Sequence, residues 1–372
     1  MIFINLEYLN DDFKLVKGDI EIEDGKFVKV CDKINYTDSD MVVDCEGFKA
    51  IPGFIDIHIH GSVFSDASDG IADGVQQMAD FLFTKGVTSF CPTTMAMSTE
   101  EIENALLSIK KAKETQTSGA SIVGINLEGP FFNKAKKGAQ LESAIVDPNF
   151  EQFKKFYDLS GGLIKLVDIA PERPGSMELI KKAKEFCTVS MAHSTADYDI
   201  VKYAFESGIT HATHMFNAMT PLHHRNPGAI TAIMLTDTVN AEIICDGKHI
   251  HPAVVKAMFK FMGDRLIVIS DAMRLSGCKD GDEGKLGGQD VTVTKGVATL
   301  TDGTIAGSIS NLYDEFINLL NWGIDFEVAA KACSLTPAKA IKMDNEIGSI
   351  KTGKKADFII LDNENNISAV YH

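Results

Sequence analysis

The stretch Gly53-Phe54-Ile55-Asp56-Ile57-His58-Ile59-His60-Gly61 is the one around which this sequence is organised. Its isoleucines alternate with polar residues, and a period of two predicts a β-strand with one apolar face. Asp56, His58 and His60 share the other face, where two histidines spaced His-x-His suit a divalent metal ion. A pair of histidines hydrogen-bonded in a polar pocket is the alternative. The choice between the two depends on the ligands that the rest of the chain supplies.

Composition places the chain among ordinary globular proteins. Its 372 residues are 45% hydrophobic, enough for one large domain with an appendage or for two domains. A formal net charge of −16 argues against sequence-independent binding to nucleic acid or to anionic membranes. The seven cysteines form no C-x-x-C pair, and the sequence has neither a signal-peptide pattern nor a membrane-length apolar run. These features predict a cytoplasmic protein.

The middle of the chain alternates strand-like apolar runs with helix-like stretches, which is typical of βα units around a parallel sheet. Eight runs are predicted as strands: 53–61, 88–94, 124–130, 164–172, 188–194, 211–219, 240–247 and 265–273. Eight strands favour a closed (β/α)8 TIM-type barrel over residues 51–345, since such barrels typically need about 250 residues. A doubly wound open sheet is the alternative.

Both ends of the chain have a different pattern. Residues 1–50 and 346–372 contain short alternating runs separated by turns, including an Asp24-Gly25 hairpin signal. Because chain termini often lie close in space, we expect the two ends to form one small β domain together. A second irregularity, the Gly-rich alternating stretch 287–306, is predicted to form a hairpin that reaches the active-site rim.

Polar side chains recur at the carboxyl ends of the predicted barrel strands, where barrel enzymes place their active sites. Each has an ordinary structural explanation on its own, but together they indicate one site. The residues are His58, His60, Glu128, His193, His214 and Asp271.

These six residues suit metal-assisted hydrolysis. Glu128, His193 and His214 make two imidazoles and one carboxylate, a ligand type of catalytic zinc that leaves a position open for water. His58, His60 and Asp271 are expected to hold a second ion beside it, with Glu128 bridging. A divalent ion lowers the pKa of a coordinated water to about 7, and Asp271 is the natural general base. The bond that is hydrolysed is not defined by this set.

Further polar residues narrow the range of possible substrates. His249, in a turn after the seventh strand, is expected to polarise a carbonyl or stabilise its oxyanion. The backbone amides of Asn217 and Ala218, with the guanidinium of Arg225, suit a phosphate group. For Arg225 alone, an ordinary surface position is the competing interpretation.

Ordered motifs along nearly the whole chain resemble the N-acetylglucosamine-6-phosphate deacetylase family of the amidohydrolase superfamily. The motifs are HIHG (58–61), LEGPFF (127–132), KKGA (136–139), AHS (192–194), HMFNAM (214–219), RNPG (225–228), DGKH (246–249), SDAM (270–273), DGTIAGS (302–308) and KKADFIIL (354–361). The resemblance implies hydrolysis of the acetamide of N-acetylglucosamine 6-phosphate to glucosamine 6-phosphate and acetate. It also implies a barrel joined to a small β-sandwich made from both termini.

The resemblance assigns roles to residues. It implies Glu128, His193 and His214 as metal ligands, Asp271 as the acid/base and His249 as the carbonyl-polarising residue. One or two divalent ions per subunit are expected, with zinc first and iron, manganese or cobalt as alternatives. The resemblance also implies that Arg225 is supplied across a homodimer interface. The implied substrate contacts are Ala139, Gln140, Asn217, Ala218, Arg225, Asp246, Gly247, Lys248, Ile305, Ala306 and Gly307.

Two departures from the family pattern concern sugar recognition. Gln140 stands where the family usually has histidine, and residues 62–66 replace a Gly-rich turn. N-acetylgalactosamine 6-phosphate is therefore an alternative substrate. A phosphosugar-binding homologue without catalysis is a second alternative. A dihydroorotase-like enzyme is a third, disfavoured because Lys165 lies at the wrong end of its strand to bridge two metals.

Overall fold

The computed structural model describes all 372 residues, Met1–His372. Its strands, in chain order, are β1 (Ile2–Leu9), β2 (Leu15–Glu23), β3 (Lys26–Cys31), β4 (Val42–Asp44), β5 (Lys49–Pro52), β6 (Phe54–Ile59), β7 (Gly61–Ser62), β8 (Ser65–Asp66), β9 (Val87–Pro92), β10 (Ser121–Ile122), β11 (Ile125–Leu127), β12 (Ile164–Ile169), β13 (Thr188–Met191), β14 (His211–Ala212), β15 (Asn240–Ile243), β16 (Leu266–Val268), β17 (Glu283–Leu286), β18 (Gln289–Thr294), β19 (Val297–Leu300), β20 (Phe358–Leu361) and β21 (Ile367–Tyr371).

Ten α-helices connect or follow these strands. They are α1 (Ala72–Thr84), α2 (Thr99–Thr115), α3 (Phe150–Leu159), α4 (Ser176–Ala183), α5 (Tyr198–Ser207), α6 (Gly228–Leu235), α7 (Pro252–Met262), α8 (Leu312–Asn321), α9 (Phe326–Ala332) and α10 (Leu335–Ala340). No helix combines the length and the apolar character that crossing a membrane requires.

The predicted barrel is confirmed, and each of the eight predicted runs overlaps a strand, although β9 begins one residue earlier than its run. β6 pairs in parallel with β9, and β11, β12, β13, β14, β15 and β16 form a continuous parallel series. A parallel bridge between Thr93 and Asn126 joins the two groups. The order of strands in space therefore follows their order along the chain, as a (β/α)8 barrel requires.

Main-chain hydrogen bonds close the barrel at its carboxyl end. The Asp271 N–H, just after β16, donates to the His58 carbonyl at 3.0 Å. The N–H groups of His60 and Gly61 both donate to the Ala272 carbonyl at 2.9 Å. The closure therefore holds the strand ends that carry His58, His60 and Asp271 beside one another.

The two termini form one sheet, as expected. Its strand order is β21-β20-β5-β1-β2-β3, with β4 also paired to β1. The Asp24-Gly25 hairpin joins β2 to β3 as predicted, and both residues adopt positive φ. The residues of the sheet contribute to a separate apolar core, which includes Phe3, Phe27 and Phe358. The division into residues 1–50 plus 346–372 and residues 51–345 stays a prediction.

The Gly-rich stretch after the eighth barrel strand is a three-stranded antiparallel sheet of β17, β18 and β19, slightly larger than the predicted hairpin. It reaches the rim as expected, because the Gln289 side-chain amide donates to the Ala139 carbonyl at 2.7 Å. Leu286, at the end of β17, lines the cavity at the carboxyl end of the barrel. The insertion thus forms one wall of the site.

Local sequence explains where helices begin. α2 starts with a capping box, in which the Ser98 hydroxyl accepts from the Glu101 N–H and the Glu101 carboxylate accepts from the Ser98 N–H. Asn311 caps α8 in the same manner by accepting from the Asp314 N–H. These caps satisfy backbone donors that a helix leaves free at its first turn.

Replacing Phe358 by alanine should lower the free energy of unfolding by about 3–5 kcal/mol, the usual cost of removing a buried aromatic ring. The ring is fully buried, with centroids 5.3 Å from Phe3, 5.7 Å from Phe27 and 4.8 Å from Tyr371. Urea-induced unfolding measures the change. Val28→Ala, in the same sheet but exposed, is the control and should change it by less than about 0.5 kcal/mol. A loss below about 1 kcal/mol for Phe358→Ala would show that the terminal sheet is not packed as described.

Candidate metal centre and active site

The barrel brings all six predicted strand-end residues to one centre. Three of them, His193, His214 and Asp271, adopt left-handed φ values of 44°, 30° and 43°. Side chains other than glycine rarely adopt this conformation, and such strain concentrates at functional sites. The chain leaves each strand sharply at these residues. The strain is therefore located at the ends of β13, β14 and β16, where the side chains meet.

Glu128 forms the first donor group with two histidines. Its Oε1 lies 3.0 Å from His193 Nε2 and 3.1 Å from His214 Nε2. The two Nε2 atoms lie 3.2 Å from each other. All three side chains are buried, so little water reaches their charges.

The second donor group lies on the other side of the same carboxylate. Asp271 Oδ1 is 3.4 Å from His58 Nε2 and 3.3 Å from His60 Nε2. His60 Nε2 also lies 3.2 Å from Glu128 Oε2. Each group places its ligand atoms within 4.8 Å of one another. Glu128 therefore stands between the groups with one oxygen facing each.

The Nδ1 atoms of three histidines face oxygens outside the centre, and their hydrogen bonds determine which ring nitrogen is protonated. Nδ1 of His58 faces Glu242 Oε2 at 2.9 Å, Nδ1 of His60 faces the Thr93 carbonyl at 3.2 Å, and Nδ1 of His193 faces the Lys136 carbonyl at 2.8 Å. These oxygens only accept hydrogen bonds, so each Nδ1 carries the proton.

A neutral ring protonated at Nδ1 presents a lone pair at Nε2. Neutral rings at this centre would therefore present imidazole lone pairs to carboxylate oxygens, and the buried His58 Nε2 makes no hydrogen bond. Buried acceptors facing one another need a cation, and imidazole with carboxylate is a ligand set for a divalent metal. The residues present thus fit the metal sites expected from the sequence.

Without a metal, protons take the cation's place. Burial by itself lowers the pKa of His60, but hydrogen bonds with Asp271 and Glu128 outweigh it and raise the pKa to about 10. Burial raises the pKa of Glu128, yet the hydrogen bonds from His193 and the other histidines hold it well below its usual value. The pKa of Asp271 is lowered in the same way, chiefly by His58 against the effect of burial.

Glu242 contacts the histidines of the centre, and the sequence analysis did not identify it. It is fully buried in β15 and accepts hydrogen bonds from His58 Nδ1, His211 Nε2 at 3.0 Å and the His214 N–H at 3.1 Å. Despite burial, these histidines lower its pKa. A carboxylate behind a metal-binding histidine fixes the ring and raises its basicity. An acidic residue between Ala241 and Ile243 in a buried strand was the signal available in the sequence.

His249 lines the cavity as predicted, and Asp246 supports it. His249 Nδ1 lies 2.7 Å from Asp246 Oδ2, while Asp246 Oδ1 accepts from the N–H groups of Lys248 and His249. Burial raises the pKa of Asp246, but the bond to His249 outweighs it and the pKa is lowered. The Asp246 carboxylate thus fixes the ring and leaves Nε2 free to face the cavity. Asp246 itself does not line the cavity.

The cavity measures about 230 Å³ and lies at the carboxyl end of the barrel. It brings together most of the predicted substrate contacts, namely Ala139, Gln140, Asn217, Ala218, Ile305, Ala306 and Gly307, with His60, Glu128, His193, His214, His249 and Asp271. Three other predicted contacts, Gly247, Lys248 and Arg225, do not line it. Lys248 is exposed, and Gly247 lies near the Trp322 ring.

Arg225 lies outside the cavity of its own chain. It is exposed on the 221–227 loop, lines a separate surface cleft, and donates to His224 Nε2 at 2.8 Å. No lysine or arginine lines the catalytic cavity. A phosphate bound there therefore finds no lysine or arginine among the lining residues of the same chain.

The sequence matches the amidohydrolase family over residues 50–371, and the chain belongs to that family. This class agrees with the barrel and with the donor groups at its carboxyl end.

Within the class, the particular relatives are deacetylases of phosphorylated amino sugars. N-acetylglucosamine-6-phosphate deacetylase of Bacillus subtilis (strain 168) is 39% identical over 325 residues, 84% of this chain and 81% of the relative. N-acetylgalactosamine-6-phosphate deacetylase of Escherichia coli O157:H7 is 30% identical over 322 residues, 86% of this chain and 85% of the relative. The structure of N-acetylglucosamine-6-phosphate deacetylase from Pasteurella multocida superposes with a TM-score of 0.92 at 26% identity, covering 99% of this chain and 97% of the other.

Metal binding at pH 8 should release about one proton from the group that contains His60, because metals compete with protons for the same lone pairs. With a pKa of about 10, His60 carries its extra proton at pH 8 in the metal-free protein and must lose it to become a ligand. Calorimetric titration with zinc in two buffers of different ionisation enthalpy gives the number released. The Asp271→Asn variant should release fewer protons when it binds zinc, because Asp271 helps to raise the pKa of His60. Binding without proton release in the unsubstituted protein would contradict this account.

Proposed function

We propose that this protein hydrolyses the acetamide of N-acetylglucosamine 6-phosphate to glucosamine 6-phosphate and acetate, in amino-sugar catabolism in the cytoplasm. The observation that carries the proposal is the convergence of two imidazole–carboxylate groups and His249 on one cavity. The proposal is also supported by 39% identity to the N-acetylglucosamine-6-phosphate deacetylase of Bacillus subtilis (strain 168). The catalytic unit is assigned to residues 51–345, and the small terminal unit to residues 1–50 and 346–372.

The proposed metal ligands are Glu128, His193 and His214, with His58, His60 and Asp271 at a second position. These residues would hold a divalent ion, which would supply a lowered pKa for a water and polarisation of the amide carbonyl. Zinc is the first choice, because imidazole and carboxylate form its catalytic ligand sets. Iron, manganese and cobalt accept the same ligands. Metal analysis of the purified protein therefore has to determine the identity and number of ions.

Asp271 acts as the general base and then as the general acid. Its pKa is lowered, so at neutral pH the carboxylate is ionised and able to take a proton from the attacking water. The water oxygen forms a bond to the carbonyl carbon of the acetamide. Asp271 then returns the proton to the sugar nitrogen as the carbon–nitrogen bond breaks. The remaining proton of the water passes from the acetic acid to the amine, so acetate and the ammonium form of the sugar leave, and Asp271 is again ionised.

His249 stabilises the charge that develops on the amide oxygen. Its Nδ1 is held by Asp246, and a ring protonated on both nitrogens donates from Nε2 toward the cavity. The hydrogen bond between Asp246 Oδ2 and His249 Nδ1 fixes the orientation of the ring. Asp246 is therefore assigned a supporting position behind His249.

The phosphate group is assigned to the backbone around Asn217 and Ala218 and to Arg225 of a second copy of the chain. The absence of lysine and arginine from the cavity lining supports this assignment, since a phosphate dianion needs a cationic partner. The exposure of Arg225 leaves its guanidinium available to a neighbouring subunit. The proposed enzyme is accordingly a homodimer with shared sites.

The second candidate substrate is N-acetylgalactosamine 6-phosphate. The relative from Escherichia coli O157:H7 bears that name, and Gln140 departs from the histidine expected at its position. A binding protein without catalysis is disfavoured, because every ligand and acid/base position of the proposed mechanism is filled.

Purified metal-loaded protein should release acetate from N-acetylglucosamine 6-phosphate faster than from the galacto epimer. Asp271→Asn should lower kcat by about 10²–10⁴-fold, the usual contribution of a general acid–base group, while the Glu128 group still binds metal. An acetate assay on both epimers, with metal analysis of the same samples, measures these outcomes. Binding of the sugar phosphate without acetate release under any metal loading would favour the non-catalytic alternative, and faster release from the galacto epimer would favour the other deacetylase.

Mixing two inactive variants should restore activity if Arg225 serves the neighbouring site. Arg225→Ala lacks the phosphate contact and Asp271→Asn lacks the base, but a hybrid dimer contains one site with both residues intact. Equal mixing with subunit exchange should give about a quarter of the wild-type rate at subsaturating substrate, as expected for a symmetric dimer. Native mass spectrometry verifies that hybrids form. Hybrids without recovered activity would contradict the shared site.

A further inference from the structure

We propose that Gln140 is a positioning residue for the metal ligand Glu128 and not primarily a sugar contact. The Gln140 side-chain amide bridges a metal-binding carboxylate and the backbone of a neighbouring strand-end segment. This inference rests on the proposed metal site but does not depend on which sugar is the substrate.

The side-chain amide of Gln140 has a single consistent orientation. Its Oε1 accepts from the Ala96 N–H at 2.7 Å, and its Nε2 donates to Glu128 Oε2 at 2.8 Å. A backbone N–H only donates and a carboxylate only accepts, so the reversed amide would face a donor with a donor and an acceptor with an acceptor. With only 4% of its surface exposed, Gln140 is held by these partners and not by water.

This bond restricts the carboxylate of Glu128. Glu128 Oε1 faces His193 and His214, and Oε2 faces His60, so a metal at either position needs the carboxylate plane in this orientation. The bond from Gln140 occupies one acceptor position on Oε2 and leaves the direction toward His60 open. Because Ala96 fixes Gln140 in turn, the backbone after β9 determines the orientation of a ligand that follows β11.

The same geometry leaves little for a sugar. Although Gln140 lines the cavity, its oxygen is used by Ala96 and one of its two N–H groups by Glu128. A glutamine also carries no titrating proton, so its hydrogen bond to Glu128 persists across the pH range in which a histidine would change charge. The replacement of the family's histidine by Gln140 therefore affects the orientation of the metal ligand Glu128 more than contact with the substrate.

Gln140→Leu tests the proposal against the substrate-contact alternative. Loss of a hydrogen-bonding partner behind a metal ligand typically weakens metal binding by about 10–100-fold, and that decrease is the expected result. Competition with a chromophoric chelator measures the zinc affinity, and steady-state kinetics at saturating zinc measure KM for the phosphosugar. We expect KM to change by less than about twofold, since uniform substrate binding is retained.

Gln289→Leu is the matched control, because Gln289 donates the same kind of amide hydrogen bond to the Ala139 carbonyl without touching Glu128. Its zinc affinity should equal that of the unsubstituted protein. If Gln140→Leu does not fold, Gln140→Ser leaves room for water beside Ala96 and tests the same loss. An unchanged zinc affinity overturns the proposal, whether or not KM rises. The affinity measurement needs no substrate, so failure of the proposed deacetylase function would be recognised separately.

Discussion

The buried carboxylate of Glu128, placed between four imidazole rings, is the interaction on which the rest of the site depends. One of its oxygens faces His193 and His214, and the other faces His60. A negative charge removed from water is costly unless cations or hydrogen-bond donors surround it. With Nδ1 protonated toward its outer partner, each of His58 and His60 directs Nε2 at a carboxylate, so a bound metal or an added proton must balance the charge there. The chemistry of the protein follows from that requirement.

The barrel supplies the geometry that this requirement needs. Parallel strands end at one face, and main-chain bonds from Asp271 and His60 to the opposite strand close the ring at that face. Left-handed backbone at His193, His214 and Asp271 directs the side chains, and conformational strain of this kind persists only where the surrounding structure holds it. Support comes from outside the ligand set, through Glu242 behind His58 and through the Gln140 bond to Glu128.

Periodicity and position in the sequence were sufficient to predict much of the fold and the six candidate metal ligands. Strands were predictable because the barrel strands are buried and strongly apolar, as in residues 53–61, and the six candidate ligands were predictable because they follow such strands. Glu242 was missed because nothing in a single strand reveals a partner on β6. The amide orientation of Gln140 was not predictable either, since it depends on Ala96, which is distant in sequence. Pairings between elements set these contacts, and a linear pattern does not contain them.

Anomalous diffraction from crystals of the zinc-loaded protein, recorded above and below the zinc edge, tests the central claim most directly. The account predicts a zinc peak between Glu128, His193 and His214, with any second peak between His58, His60 and Asp271 on the other side of the Glu128 carboxylate. Zinc bound only elsewhere on the protein, with these six side chains turned away from any metal, would contradict it.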